Sequence, residues 1–109
     1  MIFQKSACIE TLYTELPFLE RFRAAKADGF DFVEFWSWTD KDLAAVKVPT
    51  VILHGAKDVV VSSDLARLQH EGIADSRLIT LPNSGHGIMY DELERFNRVF
   101  FASLPGWDE

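Results

Sequence analysis

A small set of side chains in this chain carries the chemistry of a reactive or ligand-holding site: Cys8, Glu10, Glu34, His54, Asp58 and His86. His86 lies in Leu81–Glu92, "LPNSGHGIMYDE", between two glycines, after a short apolar strand and before an apolar helix. An imidazole on such a loop can serve as a general base, provided that something supplies a nucleophile for it to activate. Asp58 ends "HGAKD", the loop after another apolar strand. In a parallel sheet the strands send their C-terminal ends to one edge, and ligands bind there. That edge is expected to collect Glu10, Glu34, His54, Asp58 and His86.

Other chemistries are open to these residues. Glu10, Glu34, Asp58 and His86 are suitable ligands for zinc or manganese. No short-spaced motif such as H-x-x-x-H supports a metal, so the expectation is a solvated acidic rim with no metal and no cofactor. His54, at the end of an apolar strand, is expected to be a satisfied structural residue. Cys8, near the end of the first strand, is a substitute nucleophile in principle, but a lone Cys in an apolar strand is first a small core residue. "HGAKD" lacks the glycine spacing and the lysine placement of a phosphate-binding loop.

The elements that must position these residues follow from composition and pattern. The chain has 109 residues, 48% of them hydrophobic, with nine Phe and three Trp. That is core material for one small domain, 1–109, rather than two. A net charge of -6 argues against nucleic acid and anionic membranes as partners. One cysteine excludes an internal disulfide. No apolar run is long enough to span a membrane, and "MIFQKSACIE" lacks the apolar core of a signal peptide. A soluble, cytoplasmic domain is therefore expected.

The punctuation predicts strands alternating with helices. Residues 4–9 form a weak strand. "TELPFLERFRAAKADG" reads as a helix with Thr14 as cap, Pro17 in its first turn and Gly29 at its end. Leu16, Leu19, Phe22 and Ala25 form its apolar face with Phe18 beside them, while Glu20, Arg21, Arg23 and Lys26 face water. "FDFVEFWSW" is a strand apolar on both faces. Thr39 and Asp42 suggest a capping box and a helix of about two turns. "TVILHG" reads as a buried strand, and "SSDLARLQHEG" as a helix capped by Ser62 or Ser63. "SRLITL" is the fourth strand, and a last helix runs from about Tyr90 to Leu104 with a stripe of Leu93, Phe96, Phe100 and Leu104.

This alternation predicts an α/β fold: a small four-stranded parallel sheet with flanking helices, order 1-2-3-4, with 2-1-3-4 as the alternative. In the first order the Phe and Trp side chains of strand 2 are partly uncovered. Such a patch predicts a homodimer through that aromatic surface.

Two stretches resemble two different families. "SACIETLYTELPFLERFRAAKADGFDFVEFWSWTDKDL", within residues 3–43, resembles the first β-α-β unit of hydroxypyruvate isomerase-like and sugar isomerase TIM barrels. The carboxylates used by that family lie mostly on later strands, so no site residue transfers. "VPTVILHGAKDVVVSSDLARLQHEGIADSRLITLPNSGHGIMYDELERFNRVFFASL", within residues 46–104, resembles the C-terminal part of an α/β-hydrolase. By that resemblance Asp58 matches the acid and His86 the base of a catalytic triad. The join at "DLAAVKVPT" then separates a barrel-like segment, 1–45, from a hydrolase-like one, 46–109, as in a chimeric, engineered or recombined protein.

The nucleophile is what this sequence lacks. There is no G-x-S-x-G elbow, and no oxyanion-hole loop after an early strand. Around Ser37, Phe35 and Thr39 stand where the elbow requires glycine. Ser6 lies upstream without an elbow around it, Ser84 is too close in sequence to His86, and Ser62 and Ser63 read as helix caps. The expectation is a scaffold with a relic Asp58–His86 pair and no efficient catalysis. Its alternatives are a weak esterase-like hydrolase, acting on water or on a partner chain's nucleophile, and a protein-interaction module.

Overall fold

The structure, a computed structural model, describes residues 4–103. The chain divides into two compact units, Met1–Val46 and Lys47–Glu109. Each is built around one parallel pair of strands bridged by a helix.

In the first unit β1 (Ser6–Cys8) and β2 (Phe32–Glu34) pair in parallel, with Ser6 opposite Phe32 and Cys8 opposite Glu34. Between them runs α1 (Phe18–Ala27). The helix starts later than the sequence pattern suggests, because Pro17 stands at its N-cap and Thr14 does not cap it. Its end is as expected. Gly29 adopts φ 88°, and the N–H groups of Gly29 and Phe30 reach back to the carbonyls of Lys26 and Ala25. These are the two bonds of a Schellman ending, which needs a left-handed residue best supplied by glycine.

The core of this unit is Ala7, Ile9 and Ala25, ringed by Tyr13, Phe18, Phe22, Phe30, Val33 and Phe35. Phe18 meets Phe22 and Phe35 edge-on at centroid distances of 5.4 and 5.0 Å. Helical spacing i, i+4, i+7 therefore selects Phe18, Phe22 and Ala25, while Leu19 stays 42% exposed. Arg21 does not face water. Its guanidinium donates to the carbonyls of Leu16 and Ile9, both at 2.9 Å, and of Thr14 at 3.4 Å. A planar fork of five donors suits a loop whose carbonyls find no strand or helix partner.

The second unit pairs β3 (Thr50–Gly55) with β4 (Ser76–Leu81) in parallel over six residues, from Thr50 opposite Ser76 to Gly55 opposite Leu81. α2 (Ser63–Gly72) connects them and packs on both. The Ser62 side chain accepts from Leu65 N–H at its start. Ile52, Ala66, Ile73 and Leu81 are buried. After β4 come α3 (Ile88–Asp91) and α4 (Leu93–Ala102).

Three further expectations are corrected. The first concerns the sheet. The α/β class and the parallel pairing hold, but the described strands form two two-stranded sheets, not one four-stranded sheet of order 1-2-3-4 or 2-1-3-4. The reason lies in β2, which ends at Glu34 instead of running on to Trp38. The N–H groups of Trp36 and Ser37 donate to the Glu10 carboxylate at 3.1 and 2.8 Å, which takes the backbone out of ladder geometry.

The second is the two-turn helix after Thr39, which is only a 3-10 turn at Leu43–Ala45, and Asp42 makes no side-chain cap there. The third is the final helix, broken at Glu92, whose φ of -136° and ψ of 62° are not helical. The end of its stripe, Leu104, lies outside the described residues. No residue of α4 is buried, and Phe96 and Phe100 stack on one another at 5.5 Å. No described helix is long and apolar enough to cross a membrane.

Candidate functional site

The site grows from the C-terminal ends of β3 and β4. β3 ends at Gly55 and turns through Ala56 and Lys57 to Asp58, whose N–H returns to the Gly55 carbonyl at 3.1 Å. β4 ends at Leu81 and opens the loop that carries His86. Backbone bonds lock these two loops together. Ala56 N–H donates to the Leu81 carbonyl and Lys57 N–H to the Ser84 carbonyl, both at 2.9 Å. Gly55 makes this possible, because a Cβ there would fall on the backbone carbonyls of Ser84 and Gly85. The sequence thus uses glycine where two backbones must touch.

The docking brings Asp58 and His86 together. His86 Nδ1 lies 2.9 Å from Asp58 Oδ2. The other carboxylate oxygen, Oδ1, accepts from the backbone N–H of Val60 at 2.7 Å and of Val61 at 2.9 Å. The Asp58 side chain is only 5% exposed, while that of His86 is 62% exposed. Burial pushes the Asp58 carboxyl upward. The N–H of Val61, the His86 ring and the N–H of Val60 more than offset this, so its pKa lies below the ordinary value. Asp58 is then a carboxylate at neutral pH and can only accept. Nδ1 must carry the hydrogen, which leaves the lone pair of a neutral ring on Nε2. A neutral imidazole with its donor nitrogen held by a buried carboxylate has the orientation of a general base.

The residues that hold this loop escaped the sequence reading. Asp91 Oδ2 accepts from Gly85 N–H at 2.8 Å, and Glu92 Oε1 accepts from Asn83 N–H at 2.5 Å. Their signal was present as paired acids shortly after a Gly-His-Gly turn. It was not legible while residues 90–104 read as one continuous helix.

The other candidates fall apart chemically. Glu10 is engaged by the Trp36 and Ser37 backbone in the first unit. Glu34, in β2, gives its carbonyl to Ile9 N–H. Cys8 ends β1 as a free, half-buried thiol. His54 is buried inside β3 and its Nε2 has no partner among the described residues, so it is not the satisfied end-of-strand residue expected. Ser84 is fully buried, and its hydroxyl likewise has no partner among the described residues. Among the described residues no group of three or more His, Cys, Asp or Glu could hold a metal ion.

Over little more than half of its length, this chain is similar to a protein of the α/β-hydrolase superfamily and to an esterase. Over 59 residues, 54% of the chain, it is 51% identical to the AB hydrolase superfamily protein YisY of Bacillus subtilis (strain 168), and covers 22% of that protein. Among solved structures it is similar to the esterase EaEST from Exiguobacterium antarcticum, with 42% identity and a TM-score of 0.53. That match covers 55% of this chain and 22% of the esterase. The chain thus spans about a fifth of the length of the relatives it matches. No protein-family model matches it.

Proposed function

We propose that this chain carries the acid–histidine half of an esterase-type active site, and that within these 109 residues the pair has no nucleophile to activate. The observation that carries the reading is the 2.9 Å contact between Asp58 and an outward-facing His86. The similarity to a hydrolase and to an esterase over little more than half of the chain supports it. Without an elbow serine and its oxyanion donors, a histidine and an acid have little left to accelerate. The chain is thus a scaffold with a relic pair and without efficient hydrolysis.

The test is a chromogenic short-chain ester, with wild type and His86→Ala compared at equal concentration. The expected result is a rate near that of free imidazole, with no labelling by a fluorophosphonate. Labelling, or turnover many-fold above imidazole that His86→Ala abolishes, would replace this reading by that of a working esterase. The esterase named above favours that second reading.

A chimeric origin is part of the proposal. The unit boundary between Val46 and Lys47 falls where the two resemblances meet, and the similarity to the hydrolase covers only 54% of the chain. The first unit is a parallel β-α-β element, as a barrel segment would be. A homodimer through the aromatic surface is proposed with it. Trp36, 67% exposed, is its anchor, while Phe35 is spent on the core. Light scattering after sizing should give twice the chain mass, and Trp36→Glu should halve it. A monomer at micromolar concentration removes the dimer.

A further inference from the structure

We infer that Asp91, assisted by Glu92, is a positioning residue that holds the His86 loop in register with Asp58. The inference rests on reading Asp58 and His86 as an acid–base pair, and it adds residues that lie outside that pair.

The loop from Pro82 to Gly87 is tethered on two sides. On one side the β3 loop holds it, through Lys57 N–H on the Ser84 carbonyl and the close passage past Gly55. On the other side two carboxylates hold consecutive odd-numbered amides, Asp91 on Gly85 and Glu92 on Asn83. Ser84 N–H, between them, turns inward to the Leu81 carbonyl at 3.3 Å. Every amide from Asn83 to Gly85 is therefore spoken for, and the residue immediately after this clamp is His86.

The helix break has its explanation here. In an unbroken helix from Tyr90 onward, Asp91 and Glu92 would project about 100° apart around the axis and could not both serve one short loop. At Glu92 the backbone leaves helical geometry, and α3 is reduced to a single turn. Asp91 is the last residue of that turn, and its side chain reaches back six residues to Gly85. Glu92 is fixed in addition by Arg95, whose Nε lies 3.0 Å from Oε2. A charged acceptor on a backbone N–H is among the stronger hydrogen bonds a protein makes. Placed one residue before an exposed histidine, it restricts where that ring can go. Among the described residues the His86 side chain bonds only to Asp58, so its position depends on its backbone.

The experiment is nitrogen-15 NMR of the full chain with labelled histidine. In wild type, His86 should show the tautomer with hydrogen on Nδ1, together with a slowly exchanging, downfield Nδ1 proton. Asp91→Ala should leave the β3 and β4 amide shifts in place but speed exchange of that proton by an order of magnitude or more and mix the two tautomers. Asp91→Asn keeps an oxygen acceptor for Gly85 and should restore most of the wild-type signature. If Asp91→Ala leaves the His86 signals unchanged, the positioning role is wrong. If Asp91→Asn is as damaging as Asp91→Ala, the acceptor argument is wrong. A wild-type His86 without the Nδ1 signature would instead strike the acid–base reading itself. Should Asp91→Ala unfold the chain, Asp91→Ser with the same readout serves in its place, because a hydroxyl too short to reach Gly85 predicts the same mixing.

Discussion

Replacing Asp58 by alanine tests the site at its most determined point. The carboxylate accepts three hydrogen bonds while almost fully buried. A hydrogen bond to a charged group contributes about 1.5–3 kcal/mol. The Val60 amide and the His86 ring lie at the surface, so water replaces much of what they lose. The Val61 amide is part-buried and is left with less solvent to replace its partner. We expect Asp58→Ala to lose about 2–4 kcal/mol at neutral pH. For a chain of this size that lowers Tm by roughly 10–25 °C.

The pH dependence fixes the sign. The folded pKa of Asp58 lies below the unfolded value near about 3.9. Between the two the unfolded chain binds the proton and the folded chain does not. Its contribution is therefore fully present above the unfolded pKa and is lost as pH falls through the folded one. Urea unfolding followed by circular dichroism should show a gap between wild type and Asp58→Ala that is flat from neutral pH down to about pH 5 and narrows in the acid range below about 4. A gap under about 0.5 kcal/mol, typical of an unstructured surface site, would refute the reasoning. So would a gap that widens on acidification.

Other outcomes follow from single contacts. Gly55→Ala should cost more than about 3 kcal/mol or open the loops, because its methyl falls on the backbone carbonyls of Ser84 and Gly85, the first of which is held by Lys57 N–H; thermal unfolding and the His86 Nδ1 proton both report it. Arg21→Met keeps much of the stem but removes three carbonyl partners, and should lower stability by about 2–3 kcal/mol, against near neutrality for Arg23→Met on the exposed side of α1. A wild-type Tm for Arg21→Met would return Arg21 to the solvated face that its sequence position suggests.

Much of this molecule is legible in its sequence because it depends on neighbours along the chain. The period of 3.6 marked α1 and α2, Ser62 marked a cap, and Gly29 marked a left-handed ending; all are short-range steric or hydrogen-bonding effects. The apolar runs "TVILHG" and "SRLITL" became β3 and β4 with their bounds as read. The misreadings share a cause. β2 stops at Glu34 because Glu10, from the turn after β1, takes the amides of Trp36 and Ser37. The last helix breaks where Asp91 and Glu92 turn to a loop. Arg21 is drawn inward by carbonyls of the segment before its helix.

His86 and Asp58 show the division most plainly. The sequence determined that each stands on a loop after an apolar strand, and that glycines let those loops turn. Their bond spans 28 residues and required more. It exists because β3 and β4 pair in the register that sets Gly55 opposite Leu81, and because Gly55 admits the Ser84 and Gly85 backbone. Strand register and backbone approach are sums over long-range contacts, and no local pattern encodes them. Only the tertiary structure could turn two plausible loop residues into a hydrogen-bonded pair with a fixed orientation.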